Sequence, residues 1–177
     1  MAVEVPSCNR CERPSVLYQA WSGTHACEHH LLRSIRRRVG KELRRQLRIP
    51  KGGGTLLVAI SGGKDSALLL YFLSKIFSER RDLTIIGGLV NEGIEGYRPP
   101  SIECAQELCD TLGIELKVAS MADDLGRTMD RAVSKADEIG SEFGPCAFCG
   151  VFRRRGIERL ANETNAFAVA LGHNLDD

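Results

Sequence analysis

The chain has 177 residues, 43% hydrophobic and 27% charged, which suits a soluble globular core with a small appendage. It holds no run of about 18 uncharged apolar residues and no apolar stretch behind a basic start, which excludes a membrane span and a secretory signal and leaves the cytoplasm as the expected compartment. The net charge of +1 divides unevenly: residues 1–51 carry eleven Lys and Arg against four Glu, net +7, and the remainder carries thirteen against nineteen acids, net −6.

Three segments follow in chain order: a head (1–30), a basic helix with its linker (31–51) and an α/β domain (52–177). The head contains Cys8-x-x-Cys11, then fifteen residues, then Cys27-x-x-His30. Two ligand pairs separated by a loop form a zinc-finger pattern, because each short knuckle sets both its side chains on one tetrahedral edge. Zn²⁺ is therefore assigned to Cys8, Cys11, Cys27 and His30; His25 and His29 lie nearby but lack the matched spacing. A head of thirty residues has too little core to fold without such a staple.

From Arg33 to Lys51, nine basic residues are interrupted by a single acid, Glu42, on a helix expected over about 31–48. A polyanion such as an RNA backbone can dock on it; a solvated basic face is the competing reading. Pro50-Lys51-Gly52-Gly53-Gly54 ends the helix.

Residues 55–60 are an apolar run bounded by turn residues, the pattern of a strand covered on both faces. Helix 65–77, strand 83–90, helix 101–112, strand 114–119, helix 123–139, a loop over 145–150, helix 151–163 and strand 166–171 follow. The alternation predicts a parallel, Rossmann-like sheet with helices on both faces and ligands at the carboxyl ends of its strands.

The special residues lie at those ends. Ser61-Gly62-Gly63-Lys64-Asp65-Ser66 joins the first strand to its helix. Its glycines let backbone approach a ligand, the helix start presents N–H groups, Lys64 adds a cation, and Ser61 and Ser66 add hydroxyls: a phosphate cradle. It is not a Walker A loop, since Val58 stands at the first glycine position and Asp65 follows the lysine. Cys146-x-x-Cys149 precedes Arg153, Arg154 and Arg155, so its thiols are expected to ionise readily. Half of a second zinc site, a redox dithiol and two ligands of an iron–sulfur cluster all fit the pair. Cys104 and Cys109 read as packing residues. In Gly172-His173-Asn174-Leu175-Asp176-Asp177 the glycine permits close approach of a nucleotide and the carboxylates can hold Mg²⁺.

The loop Ser-Gly-Gly-Lys-Asp-Ser resembles the PP-loop of the ATP pyrophosphatase superfamily. Taken with the head knuckle, the basic helix, Cys149-Gly150-Val151-Phe152-Arg153-Arg154 and the final turn, the order of motifs resembles the tRNA 2-thiouridine synthetases of the TtuA and NcsA type. The resemblance implies an adenine nucleotide alpha hydrolase-like fold and an enzyme that uses ATP and Mg²⁺ to adenylate O2 of a tRNA uridine, at the wobble position, and replaces that oxygen with sulfur. It implies that Ala59, Ser61 to Ser66, Gly172 and Asp177 bind ATP, and that Cys146, Cys149, Arg153 and Lys64 serve catalysis. Cys146 and Cys149 would be two of three ligands of a [4Fe-4S] cluster. Sulfur would come from a ubiquitin-like protein ending in a thiocarboxylate or from free sulfide, and a homodimer is compatible. The third cluster cysteine and a C-terminal zinc knuckle do not occur before Asp177, so the expectation is the N-terminal part of a longer protein. The rival readings are another PP-loop adenylating enzyme, such as a lysidine synthetase or a GMP-synthetase-like amidotransferase, and a non-catalytic zinc-stabilised RNA-binding module.

Overall fold

The computed structural model describes residues 5–94, 96, 98–126 and 128–173. They form two compact units, Met1–Arg48 and Ile49–Asp177. In the first unit a short antiparallel hairpin, β1 (Leu17–Gln19) and β2 (Thr24–Ala26), leads into helix α1 (Glu28–Gln46). The sequence does not foretell the hairpin, whose strands have three residues each. Helix α1 begins three residues before its expected start, because Cys27 is its N-cap and Glu28 complements the positive end of the first turn. His30 is thereby a helical residue. Leu31, Ile35, Val39 and Leu43 recur every fourth position as a half-buried stripe, while the arginines between them stay exposed.

The second unit is an α/β layer. Strand β3 (Gly54–Ala59), helix α2 (Lys64–Ile76), strand β4 (Leu83–Asn91), helix α3 (Arg98–Leu112) and strand β5 (Glu115–Ser120) run in sequence. Helices α4 (Met121–Leu125), α5 (Met129–Glu138) and α6 (Pro145–Glu163) then return the chain to strand β6 (Ala166–Ala170). All pairings are parallel, in the order β5-β4-β3-β6. Helices do cover both faces. A Cβ on Gly87 would meet Cys109 of α3, and one on its neighbour Gly88 would meet Leu160 of α6, and successive strand residues face opposite ways. Leu56, Leu57 and Val58 of β3 are fully buried, which at about 1.5–3 kcal/mol per large apolar side chain makes this strand the centre of the core.

Three sequence expectations change. The helix expected over 123–139 is two helices, because Gly126 takes a left-handed conformation (φ 63°) that ends α4, and Thr128 accepts from the Arg131 N–H to start α5. The segment 145–150, expected as a loop, is the opening of α6: Pro145 occupies the first turn, where its missing N–H costs nothing. Helix α3 likewise starts early and carries Pro99 and Pro100 in its first turn. Of the two cysteines read as packing residues, Cys109 is fully buried but Cys104 is exposed. Among the described residues no helix is long and apolar enough to cross a membrane.

Candidate functional site

The chain leaves β3 toward β4 on one side and returns to β6 on the other, so the carboxyl ends of β3 and β6 flank the point where the topology reverses. The loop Ser61–Gly63 lies there. Gly62 has φ +81°, and a Cβ on it would stand 2.8 Å from the Cβ and carbonyl oxygen of Ser101 in α3; both its conformation and the packing of α3 exclude a side chain. The buried Ser66 hydroxyl braces the turn: it accepts from the Ser61 N–H at 3.1 Å and donates to the Gly63 carbonyl at 3.0 Å. Ser61 Oγ accepts from the Gly63 N–H at 3.3 Å. Gly63 caps α2 without a side-chain bond, so the turn offers backbone N–H groups and the positive end of the helix to an anion. Lys64 projects into solvent with its Nζ 3.1 Å from Asp65. From the far side a Cβ on Gly172 would stand 3.0 Å from the Ser66 backbone nitrogen, so the turn after β6 closes directly on the start of α2. Asp176 and Asp177 lie outside the described residues.

The residue that organises this end of the sheet is Glu92, which follows β4 and is fully buried. Arg98, itself buried, grips it with two guanidinium nitrogens. Its third nitrogen, Nη1, donates to the Ser61 carbonyl at 3.3 Å. Arg153 of α6 donates to the same carboxylate from a half-exposed position, and Cys149 Sγ lies 3.8 Å from Glu92 Oε1. The Glu92 carbonyl accepts from the Met129 N–H at 2.8 Å, tying in α5. Burial alone pushes the Glu92 carboxyl up, but the Arg98 and Arg153 guanidiniums outweigh it and hold it below the usual carboxylate range. Sequence reading missed Glu92 and Arg98. The available signal was an acid directly after a buried strand, at the sheet end where ligands sit.

Cys146 and Cys149 occupy the first turns of α6 three residues apart, on one face of the helix. Cys146 is exposed and Cys149 half-buried, and neither is in a disulfide. The expectation of readily ionised thiols does not hold at Cys149: burial pushes it up, Arg153 only partly opposes this, and Glu92 adds to the rise. Cys146 and Cys149 are both free thiols, the donor type of a thiolate-held group. Among the described residues the two thiols belong to no mutually close group of three metal-type ligands, although the Glu92 carboxylate lies beside Cys149, so the pair is not a closed site.

In the first unit Cys8, Cys11, Cys27 and His30 converge, with all four ligand atoms within 4.8 Å of one another. Nδ1 of His30 lies 3.4 Å from Cys8 Sγ, 3.5 Å from Cys11 Sγ and 3.3 Å from Cys27 Sγ, and Cys11 and Cys27 are 3.6 Å apart. A tetrahedron with bonds of about 2.3 Å to sulfur and 2.0 Å to nitrogen has edges of about 3.5–3.8 Å, so the donor set has the spacing of such a centre. The Cys8 thiol is lowered to about 6, chiefly by a hydrogen bond from the Cys27 backbone and further by the Arg10 N–H. His25 and His29 stand outside: His25 stacks on Tyr18, and His29 meets His30 edge-on.

Comparison with known proteins agrees with this geometry. The PP-loop domain family model matches residues 28–177. The tRNA 2-thiolation protein NcsA of Haloferax volcanii is 36% identical over 175 residues, covering 96% of this chain and 54% of that protein. The cytoplasmic tRNA 2-thiolation protein 1 of Anopheles gambiae is 32% identical over 176 residues, 98% of this chain and 49% of its own length. Among solved structures, the U34-tRNA thiolase NcsA from Methanococcus maripaludis with its [4Fe-4S] cluster superposes with a TM-score of 0.82 at 36% identity, over 97% of this chain and 54% of that one. The chain thus spans about half the length of these relatives. A glycine turn after a buried parallel strand, braced by Ser66 at the reversal of the sheet, together with a family match that runs through it, places this chain in the PP-loop domain family.

Proposed function

We propose that the protein is the PP-loop part of an ATP-dependent tRNA 2-thiolation enzyme, a sulfurtransferase that acts in the cytoplasm on a uridine of the wobble position. The observation that carries this reading is the wiring of α6 to the phosphate loop: Cys149 and Arg153 both reach Glu92, and Glu92 reaches the Ser61 carbonyl through Arg98. Two thiols beside the adenylating loop favour sulfur chemistry over the other PP-loop adenylating reactions. The likeness to the thiolation proteins supports the same conclusion.

In this reading Ala59, Ser61, Gly62, Gly63, Lys64, Asp65 and Ser66 hold ATP and Gly172 closes the nucleotide side, while Asp177 binds ATP and Mg²⁺ is taken by the Asp176 and Asp177 carboxylates. Uridine O2 attacks the α-phosphorus, the bond to the bridging oxygen breaks, pyrophosphate leaves and the N3 proton is released. The loop N–H groups and Lys64 stabilise the charge that moves onto pyrophosphate. Hydrosulfide sulfur then bonds C2, the C2–O bond breaks, AMP leaves with its oxygen and the proton returns to N3. Arg153 steadies the anionic adenylate beside α6. Cys146 and Cys149 would hold the [4Fe-4S] cluster, which supplies sulfur delivery when bound. The knuckle holds Zn²⁺ and keeps the first unit folded, and α1 docks tRNA. The sulfur donor is a thiocarboxylated ubiquitin-like carrier or free sulfide, and a homodimer is the assembly to test.

The test is anaerobic incubation of the full-length protein to which this PP-loop part belongs with tRNA, ATP and sulfide, followed by nucleoside mass spectrometry. Formation of 2-thiouridine with one AMP and one pyrophosphate per sulfur inserted is expected. ADP and orthophosphate as products, or no thiolated nucleoside from protein carrying its iron and zinc, would refute it.

A further inference from the structure

The hairpin of the first unit displays its aromatic residues. β1 and β2 are joined by the turn 20–23, and Trp21 in that turn is 69% exposed, Tyr18 of β1 55% and Val16 61%. These side chains are not core, since the buried residues described in this unit are Cys8, Cys27 and Gly40. They are nevertheless held. Tyr18 faces His25 across the strand pair with ring centroids 4.8 Å apart, and the Arg38 guanidinium lies 5.4 Å from the centre of the Trp21 ring. The turn is stiffened by Ser22 Oγ against Thr24 Oγ1 at 2.7 Å and by Thr24 Oγ1 donating to Gln19 Oε1 at 3.3 Å. Directly after β2, Cys27 enters the four-ligand centre and anchors the hairpin base.

An indole kept at the surface on a rigid turn, with a guanidinium on its ring and a helix of arginines behind it, has a specific complement. The ligand must offer a flat π-face to the ring and negative charge at short spacing to the arginines. An unpaired nucleobase on its phosphodiester backbone has both, whereas a base inside a duplex has its faces covered by its neighbours. The net charge of +7 over residues 1–51 favours this occupant over an apolar protein surface or a second copy of an equally basic unit. We infer that the hairpin is a stacking platform for single-stranded RNA, on which Trp21 takes one unpaired base of the tRNA while Arg38 and its neighbours on α1 meet the adjacent phosphates. The inference rests on the RNA-directed reading above and adds to it that the contacted part of the tRNA is a loop or an end.

Trp21 is the only tryptophan of the chain, so its emission reports the platform directly. The zinc-loaded protein is titrated with a fluorescently labelled single-stranded oligouridylate, with tRNA, and with a blunt RNA duplex of equal length, following label anisotropy and tryptophan emission together. Quenching should saturate along with anisotropy for the single strand and the tRNA, and stay absent for the duplex. Trp21→Ala should weaken single-strand binding by about 5- to 150-fold, the range for removal of one base stack. Trp21→Phe should recover most of this, and zinc content should be unchanged in both variants. Binding without quenching, or Trp21→Ala with unchanged affinity, overturns the platform and leaves the RNA reading intact. If none of the three RNAs binds, the RNA reading fails and the platform with it. A concentration-dependent shift of tryptophan emission without RNA also overturns it, in favour of an interface between copies.

Discussion

Nη1 of Arg98 donates to the Ser61 carbonyl at 3.3 Å, so the first residue of α3 carries the backbone of the phosphate loop. The other nitrogens of the same guanidinium are occupied by the buried carboxylate of Glu92, to which Arg153 also binds from the surface. The two arginines are therefore unequal. Arg98→Met leaves Glu92 buried with a half-exposed cation, Arg153, in place of a buried one and should cost about 3–5 kcal/mol. Arg153→Met removes an interaction shared with water and should cost about 1 kcal/mol or less. Urea midpoints of the two variants decide this, and equal losses would contradict the hierarchy.

Gly62→Ala meets two obstacles, a positive φ and the backbone of Ser101 2.8 Å away. The expected cost is about 1–3 kcal/mol, with weakened ATP binding as the loop is displaced. Gly63→Ala is the control, since Gly63 has φ −91° and a Cβ there would meet only the Ser61 hydroxyl, at 3.3 Å. Thermal melting should separate the pair, the Gly63 variant falling by less.

Lys64 is at the surface, paired with the exposed Asp65. Its truncation should leave stability unchanged, while removing a charge-assisted hydrogen bond to phosphate weakens ATP by about 1.5–3 kcal/mol, roughly 10- to 150-fold. Calorimetry on Lys64→Ala showing wild-type affinity would remove the lysine from the nucleotide site.

One zinc per chain is expected in the four-ligand centre. Cys8→Ser, or removal of the metal by a chelator, should unfold the first unit, because its other buried residues are too few to hold it. ATP binding in the second unit should survive. Zinc analysis paired with far-ultraviolet circular dichroism tests this, and full zinc occupancy in Cys8→Ser would locate the metal elsewhere.

The exposed arginines of α1 should dominate the salt dependence of tRNA binding. Replacing Arg36, Arg37, Arg44 and Arg45 with serine should weaken binding and lower the log–log slope by about 0.7–0.9 for each phosphate that is no longer neutralised. An unchanged slope across a salt titration would make α1 a solvated face.

The sequence by itself determined the features that rest on local chemistry and periodicity. Alternating apolar runs and helical stripes announced a parallel sheet, and the two glycines between strand and helix announced a tight turn at the end of β3. Matched cysteine and histidine pairs announced a closed centre that the fold brings together at metal spacing. Only the tertiary structure decided the rest. Residues 145–150 contain a proline and a glycine, which read locally as a loop, yet Pro145 starts α6 and places Cys146 and Cys149 on one helical face. Helix 123–139 broke where Gly126 could turn left-handed, a choice that composition alone does not force. Glu92 and Arg98 lie only six positions apart, but their partners are distant in sequence: Ser61 is 37 residues from Arg98, and Arg153 is 61 from Glu92. A buried carboxylate is tolerated only when cations reach it, and no periodicity within one segment reveals which cations the crossovers will deliver. The same separation hid the reason for Gly172, whose place against Ser66 exists only because β6 pairs beside β3.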